Sequence, residues 1–454
     1  MKQWGFFILI AVAILIVLRI ALNTPFNFHP DEAMHTDAMC YFESHWWPPS
    51  LNSSEVLYSP DGWSRVYNGE IVYLIYGKMS VLVKPLVSKI LISNTSTPSL
   101  HQFPYHIFLP LILCMPRCLT SYQIYRLLNV SLLIVTLIIM FLKGRRNAWV
   151  LACGLILLCI PQILYIYAYA NSDAWGLSVS VVFFVFLLTT KTQINSPRYA
   201  ILLGFFVGLL LLSKETFWLS LPWAGVLVGT QYFQQRRQNV LRLSFKQIAI
   251  LGGIFIITVL VIIAPLKLIY PLTQGDWNVR VEQMREIRAW NDFKPSILMS
   301  PGYRLSAKGE PITVILHNRH WYAASMKSFY GVFGHFTVIL PDWIYIVALG
   351  ILVLNVVLTI SIVCSKWSLL DLGMKAMVIF APFSVLLNVA ASVYNSWTYD
   401  FQPQGRYLFS SVVPLTVLLT ATVPVENKQY ITLRVISWLI SYGLCMYVLI
   451  HYAM

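Results

Sequence analysis

The chain carries a dense cluster of ionisable residues at positions 29–37. Two histidines, two aspartates and one glutamate fall within this stretch, although the 454 residues include only 18 acidic ones. A carboxylate near a membrane can remove a proton from an attacking hydroxyl group. Asp31 is therefore our candidate general base, with Glu32 beside it and His29 as a substrate-binding candidate. The ordinary alternative is a solvated turn in which the two acids favour a helix N-terminus.

Two short turns further along the chain add opposite charges. Asp173 belongs to an Asn-Ser-Asp sequence, and Lys214 to Ser-Lys-Glu-Thr. A lysine ammonium is a point charge that suits phosphate, and an aspartate can orient an acceptor or a cation. The simpler alternatives are that Ser172 or Asp173 caps a helix and that Lys214 forms a local ion pair with Glu215.

Two later segments complete the set of polar groups. Residues 328–336 read Ser-Phe-Tyr-Gly-Val-Phe-Gly-His-Phe, and residues 399–407 contain Gln404 and Arg406. A guanidinium group presents a planar, permanently charged fork to phosphate. Arg406 is therefore a candidate for holding a leaving phosphate, with Gln404 and Tyr330 as further substrate-binding candidates. Alternatively, the arginine extends to lipid head groups and the glycines only permit a bend.

The elements that must position these residues are membrane helices. Hydrophobic residues make up 58% of the chain and charged residues 11%, whereas about 25% is usual for charged residues in soluble domains. Segments that cross a bilayer as helices satisfy their own backbone hydrogen bonds, so we predict an all-α polytopic membrane protein. About eleven transmembrane helices are predicted, at residues 4–22, 122–142, 148–169, 174–190, 199–213, 216–233, 247–269, 338–363, 373–394, 407–424 and 432–452.

Two long loops, residues 23–121 and 270–337, interrupt the spans. Placing the N-terminus in the cytoplasm puts basic connections such as residues 143–146 inside and both long loops outside. Residues 69–92 contain lysines that are costly to bury in lipid, so we predict an amphipathic surface helix there. Residues 312–336 predict a second surface helix that ends at a glycine bend.

The remaining features narrow the class of protein. The first apolar run lacks an A-x-A-like cleavage site and predicts an uncleaved helix. With no repeat and no soluble segment, residues 1–454 form a single integral-membrane domain. The net charge of +14 suits cytoplasmic loops and lipid head groups, with no nucleic-acid partner. The sequence leaves open whether Cys114 and Cys118 are bridged, and the spacing of His29 and His35 gives little support for zinc.

Taken together, these motifs resemble the GT-C class of membrane glycosyltransferases. More specifically, the chain resembles the bacterial membrane-protein family called domain of unknown function 2142, which is grouped with that class. The resemblance rests on five segments in the same order: HPDEAMHTDAMCYFESHWWPP at residues 29–49, NSD at 171–173, LSKETFWLSLP at 212–222, KSFYGVFGHF at 327–336 and QGRYLFSSVVP at 404–414.

The resemblance implies a GT-C-like bundle with juxtamembrane helices in the outside loops. It implies a polyprenyl-phosphate-linked sugar as donor and a first-loop carboxylate as base, with inversion at the anomeric carbon. That role falls to Asp31, with Glu32 as runner-up, and Asp173 matches the second acidic residue of the class. Some members bind a divalent cation, but the first loop lacks an Asp-x-Asp sequence, so a metal cofactor stays open.

The expected function is transfer of a sugar to a cell-surface glycan, such as O-antigen, at the periplasmic face of a bacterial inner membrane. Lys214 and Arg406 would hold the leaving phosphate, while the Trp46–Trp47 pair, Tyr330 and Phe333 would contact sugar or membrane lipid. One alternative is a glycan polymerase or ligase that uses a lipid pyrophosphate. A transporter or flippase is a second alternative, and it predicts ionisable residues at mid-membrane. A structural or assembly subunit is the third, and it predicts no converging polar cleft.

Overall fold

The protein is described here by a computed structural model covering residues 3–91, 121–145, 148–190, 194–238, 243–370, 372–420 and 428–453. Almost all regular structure in these residues is helical, with one two-stranded hairpin. The all-α class predicted from hydropathy is therefore confirmed. Cys114 and Cys118 lie outside the described residues.

The first half of the chain forms a bundle with two additional helices in its first loop. These helices are α1 Gln3–Asn23, α2 Glu32–Ser44, α3 Ile71–Leu91, α4 Tyr122–Gly144, α5 Ala148–Leu157, α6 Pro161–Ile166, α7 Asp173–Thr189, α8 Pro197–Leu211 and α9 Ser220–Arg237. Short 3-10 turns at Arg65–Asn68 and Glu215–Leu219 precede α3 and α9.

The second half of the chain also combines long helices with shorter elements in its loops. Its elements are α10 Phe245–Ile263, α11 Tyr270–Thr273, α12 Trp277–Arg288, α13 Trp321–Tyr330, β1 Val332–Phe333, β2 Val338–Ile339, α14 Asp342–Lys366, α15 Leu372–Thr398, α16 Val412–Thr420 and α17 Lys428–Tyr452. A π-helical turn, Ala264–Ile269, joins α10 to α11, and a 3-10 turn, Gly405–Ser411, leads into α16.

Six helical stretches in the described residues are long and apolar enough to cross a membrane: Trp4–Asn23, Tyr122–Gly144, Phe245–Thr273, Asp342–Leu369, Leu372–Thr398 and Lys428–Tyr452. Other apolar helices are shorter, as at Asp173–Thr189 and Pro197–Leu211. The predicted span at 148–169 is divided between α5 and α6, because Ile160 is extended and Pro161 starts a new helix. Proline lacks the N–H needed to continue a helix but suits its first turn.

The helices pack around one large apolar core, and α10 lies at its edge. No residue of α10 is buried, and this helix packs mainly on α8. At Gly204 and Gly208 of α8, an added Cβ atom would press against Phe255 and Ile262. The glycines therefore let the two backbones approach closely, and the remaining apolar surface of α10 is available to lipid.

The two long loops pack onto the bundle. Helix α3 confirms the predicted helix in residues 69–92, and it packs with α2 against α4 through Met39, Tyr73 and Tyr125. The single helix predicted for residues 312–336 is wrong in extent. Instead, His320 adopts a left-handed backbone conformation that starts the shorter helix α13, and the glycine bend belongs to the β1–β2 hairpin.

Candidate functional site

A cavity of about 1100 Å³ lies where the two long loops meet the ends of α9, α10 and α15. It is lined by Asp31 and by parts of residues 59–70, 213–219, 266–293 and 388–407. These segments are far apart in the sequence, and the cavity brings both long loops and two short turns together. Ligand cavities in proteins usually span about 300–1,000 Å³, so this one has room for a large substrate or for two.

Asp31 stands at the wall of this cavity between two arginines. Its Oδ2 atom accepts a hydrogen bond from Arg406 Nη2 at 2.7 Å, and Arg65 Nη2 lies 3.3 Å away. The Asp31 side chain is 38% exposed, whereas that of Arg406 is only 5% exposed. A φ angle of +60° at Asp31 precedes the first turn of α2 and turns this carboxylate away from the helix.

The charge on Arg406 is shared with a second acidic residue. Arg406 Nη1 lies 3.9 Å from Asp173 Oδ2, and Lys214 Nζ donates to Asp173 Oδ1 at 2.8 Å. The Lys214 ammonium also lies 4.7 Å from the centre of the Tyr407 ring. Asp31, Arg406, Asp173 and Lys214 thus form a row of alternating charges, which we call the charge row. Asp31 and Lys214 at its two ends line the cavity, whereas the buried Arg406 and Asp173 do not.

This row answers two alternatives raised by the sequence. Lys214 pairs with Asp173 and not with its neighbour Glu215. Ser172 occupies the N-cap position of α7 without a side-chain capping bond, and Asn171 Oδ1 accepts from the Ala174 N–H at 2.9 Å instead. Since Asn171 caps the helix, the Asp173 carboxylate is available to the two cations.

The protonation of Asp31 follows from its surroundings. Burial alone would raise the pKa of Asp31, but the Arg406 and Arg65 guanidinium groups hold that pKa well below its usual range. The carboxylate is therefore ionised at any physiological pH. A carboxylate held by two arginines is a weak base until those arginines find another partner.

Glu32 lies beside Asp31 in the sequence but points to the opposite side. Its Oε1 and Oε2 atoms accept from Arg126 Nε at 2.6 Å and Nη2 at 2.8 Å. Oε2 also accepts from the Asn27 N–H, and both charged side chains are almost fully buried. This bidentate pair ties the first loop to α4, so the geometry favours a structural role for Glu32 over the role of runner-up base.

Three further candidates lie away from the cavity lining. The His29 ring nitrogens contact the Tyr165 hydroxyl at 2.6 Å and the Thr24 hydroxyl at 2.9 Å. Tyr330 packs against the apolar core of the bundle. Gln404 Oε1 is buried without a hydrogen-bond partner among the described residues, but the side chain does not line the cavity.

The aromatic candidates are also outside this cavity. Trp46 and Trp47 are exposed just after α2, and Phe333 is fully buried in β1.

Burial, followed by the charge of Arg126, lowers the pKa of His29. A neutral His29, whose two ring nitrogens contact hydroxyl groups, is suited to stabilising the first long loop.

Comparison with known proteins agrees with the resemblance found in the sequence. The model of the family described as predicted membrane protein, domain of unknown function 2142, matches residues 113–419. The chain belongs to this family. The matched region includes Asp173, Lys214 and Arg406 but begins after Asp31 and the rest of the charged part of the first loop. Searches of curated proteins and of solved structures give no match.

The sequence interpretation missed several residues that line the cavity of this family member. Arg65 and Glu70 belong to the first loop, and Lys267 lies in the π-helical turn. Lys267 Nζ donates to the Asn68 carbonyl at 2.8 Å. Arg65 and Glu70 could have been found from the polar sequence between Asp61 and Glu70, because its density of charged residues is similar to that of residues 29–37.

The described residues do not supply an evident metal centre to this protein. Within them, no group of three or more histidine, cysteine or acidic side chains is placed to hold a metal ion. The two acidic residues of the charge row, Asp31 and Asp173, are separated by the Arg406 guanidinium. A divalent cation would compete with that guanidinium for the same oxygens.

Proposed function

We propose that this protein is an inverting glycosyltransferase that moves a sugar from a polyprenyl-phosphate donor to a hydroxyl group of a cell-surface glycan such as O-antigen. The observation that carries the proposal is the charge row at a cavity of about 1100 Å³. A carboxylate beside several cations is the arrangement that sugar transfer from phosphate requires, because one group must accept a proton and others must hold the leaving phosphate.

Asp31 acts as the general base, and its activation depends on donor binding. In the resting protein the Asp31 carboxylate forms ion pairs with Arg406 and Arg65. The donor phosphodiester carries one negative charge over two free oxygens, and it presents these oxygens to the same guanidinium groups. When the arginines turn to the phosphate, the Asp31 carboxylate regains basicity where the acceptor hydroxyl arrives.

In the transfer step, one bond forms and one bond breaks at the anomeric carbon of the donor sugar. The acceptor hydroxyl gives its proton to Asp31, and its oxygen forms a bond to the anomeric carbon. The bond between that carbon and the phosphate oxygen breaks, and its electron pair leaves with the phosphate. Arg406 and Lys214 hold the phosphate, while Asp173 keeps these two cations in place through its two oxygens.

The proposed location is a bacterial inner membrane with the cavity on the periplasmic side. The ends of the apolar helices that meet at the cavity are those opposite to the basic short connections, as the positive-inside rule demands. Cys40 of α2 is disulfide-bonded, which suits a loop in an oxidising compartment. Lipid faces the apolar surface of α10, next to the cavity wall formed by Leu266 and Lys267.

A lipid-pyrophosphate donor is the second candidate, and one observation favours it. Arg65 and Lys267 also line the cavity, so cations are present for more than one phosphate group. A glycan polymerase or ligase would use such a donor. A transporter or flippase is less well supported, because the ionisable groups gather at one end of the bundle and not at mid-membrane.

The test is sugar transfer by the full chain in lipid nanodiscs, with Asp31→Asn compared with the wild type. Polyprenyl-phosphate and polyprenyl-pyrophosphate sugars from the native membrane serve as donors, and released lipid phosphate is measured by mass spectrometry. We expect about a 10²–10⁴-fold loss of rate for Asp31→Asn. Asp342→Asn, the same change at an exposed position, should keep the wild-type rate. Undiminished transfer by a folded Asp31→Asn protein would remove the proposal.

A further inference from the structure

A second group of polar side chains lines the same cavity and takes no part in the charge row. It consists of Asp61, Arg285, Tyr399 and Asp400, and we call it the Tyr399 cluster. The Tyr399 hydroxyl donates a short hydrogen bond to Asp61 Oδ2 and accepts one from Arg285 Nη2 at 2.6 Å. The first loop, α12 and the end of α15 therefore meet at one hydroxyl group.

Two aromatic rings hold the Arg285 side chain in place in addition to its hydrogen bond with Tyr399. Its guanidinium carbon lies 5.3 Å from the centre of the Trp63 ring and 4.9 Å from that of Tyr399. The residue is only 9% exposed, and its Nε atom has no hydrogen-bond partner among the described residues. A buried N–H group without a partner costs free energy, so a ligand that accepts a hydrogen bond from Arg285 gains that energy.

Asp400 provides acceptor atoms on the same side of the cavity. Its Oδ2 atom accepts from Gln402 Nε2 at 2.7 Å. The backbone around it is fixed by the second long loop, since the Arg304 N–H donates to the Tyr399 carbonyl and the Phe401 N–H to the Gly302 carbonyl, both at 2.8 Å. Burial, and then the nearby Asp61 and Asp31 carboxylates, raise the pKa of Asp400. Asp400 and Asp31 line the same cavity.

We infer that the Tyr399 cluster is the acceptor subsite, and that it takes an uncharged, hydroxyl-rich sugar. This inference rests on the proposed function, because the charge row is assigned to the donor phosphate. Asp400 accepts from sugar hydroxyls and Arg285 donates to them, while the Tyr399–Asp61 pair positions Arg285. The Trp63 and Phe293 rings in the same lining provide apolar surface for a sugar face.

The charge of the cluster selects against acidic sugars. The cluster contains two carboxylates, Asp61 and Asp400, and one guanidinium group, that of Arg285. The Tyr399 hydroxyl already bridges Arg285 to Asp61, so an incoming carboxylate would meet one partly neutralised cation and the unbalanced Asp400. Like charges at this range are unfavourable in a recessed site. A uronic acid is therefore excluded more strongly than a neutral hexose.

The experiment measures acceptor binding without any donor. The full chain in nanodiscs is studied by saturation-transfer NMR with methyl glycosides of glucose, galactose, mannose and N-acetylglucosamine, and with the matched methyl glucuronide and methyl galacturonide. We expect at least one neutral glycoside to bind and the uronides to give less than a tenth of its signal. Tyr399→Phe and Asp400→Asn should reduce the neutral signal at least 5-fold, while Asp342→Asn, at an exposed position, keeps it.

The outcomes separate this inference from the proposed function. The inference is overturned if no neutral glycoside binds, if the uronides bind better, or if Tyr399→Phe and Asp400→Asn leave binding unchanged while circular dichroism shows both proteins folded. Lack of sugar transfer from either lipid donor, with glycoside binding intact, would instead overturn the proposed function. Tyr399→Phe keeps the ring beside Arg285, so it removes only the hydroxyl that positions this side chain.

Discussion

The buried pair between Arg126 and Glu32 gives the sharpest prediction for stability. Replacing Arg126 with methionine keeps a long side chain in α4 but removes the guanidinium group. Arg126 now donates to both Glu32 oxygens, to the carbonyls of Ala21, Thr24 and Pro25 and to the Thr24 hydroxyl, at distances from 2.6 to 3.1 Å. The substitution leaves all of these acceptors in a site that water does not reach.

The magnitude follows from the burial of the acid that remains. Glu32 is fully buried, and removing one partner of a buried ion pair typically costs about 3–5 kcal/mol. The double variant Arg126→Met with Glu32→Leu leaves no buried charge. Replacing both members of a buried pair by apolar groups is often neutral or stabilising by roughly 1–4 kcal/mol, so the double variant should be more stable than Arg126→Met alone.

The assay is reversible unfolding of the purified protein in mixed detergent micelles, followed by circular dichroism. Lys327→Met is the matched control, since Lys327 pairs with Asp342 at the same 2.8 Å separation seen for Arg126 Nη2 but on the surface. An exposed pair contributes at most about 1 kcal/mol. The difference between Arg126→Met and this control isolates the effect of burial.

Two results would refute the reasoning. If the free energy of unfolding of Arg126→Met lies within about 1 kcal/mol of the wild-type value, the pair does not stabilise the first loop. If Glu32→Gln abolishes sugar transfer but leaves the free energy of unfolding unchanged, Glu32 takes part in the reaction, and its assignment as a structural residue is wrong.

Three further predictions concern the same loops. Gly405→Ala should lower the free energy of unfolding by about 1–3 kcal/mol, measured by thermal or detergent unfolding, because the added Cβ atom collides with the Phe329 backbone. Burial raises the pKa of Asp37 to about 6, so the folded protein keeps a proton that the unfolded chain loses near pH 4. The free energy of unfolding should therefore fall by about 3 kcal/mol between about pH 4 and 6, and Asp37→Asn should remove this slope in pH-dependent unfolding. Arg406→Lys should lower kcat for sugar transfer by about 10²-fold, because a lysine cannot reach both the phosphate and Asp173; an unchanged kcat would contradict the assignment of Arg406.

Hydropathy predicted the all-α class, and six of the eleven predicted spans coincide with described helices that are long enough to cross a membrane, because a span needs only an apolar stretch of sufficient length. It did not predict the break at Pro161 or the left-handed residue that begins α13, His320. Backbone conformations at single residues depend on neighbours in space, and short surface segments carry no strong periodic pattern. The cavity residues Arg285 and Tyr399 were missed for a related reason. Arg285 is one of several charged residues of α12, and Tyr399 begins the polar segment 399–407 with nothing in the sequence to distinguish it from its neighbours.

The adjacent acids Asp31 and Glu32 show what the sequence could not separate. Both follow the first span, and both suit the role of a base. The φ angle of +60° at Asp31 sends the two carboxylates in different directions, one to Arg406 at the cavity and one to Arg126 beneath the loop. Only coordinates distinguish an acid open to substrate from an acid sealed in the fold.

By itself, the sequence determined that this chain is a helical membrane protein and that most of its charged residues lie between the apolar segments. Both properties depend on local composition, because lipid excludes charge from each span separately. The tertiary structure decided which charges meet: Asp31 and Arg406 form a hydrogen bond across 375 positions of the chain. Such a contact depends on how the helices pack, and packing is a property of the whole bundle that no single segment carries.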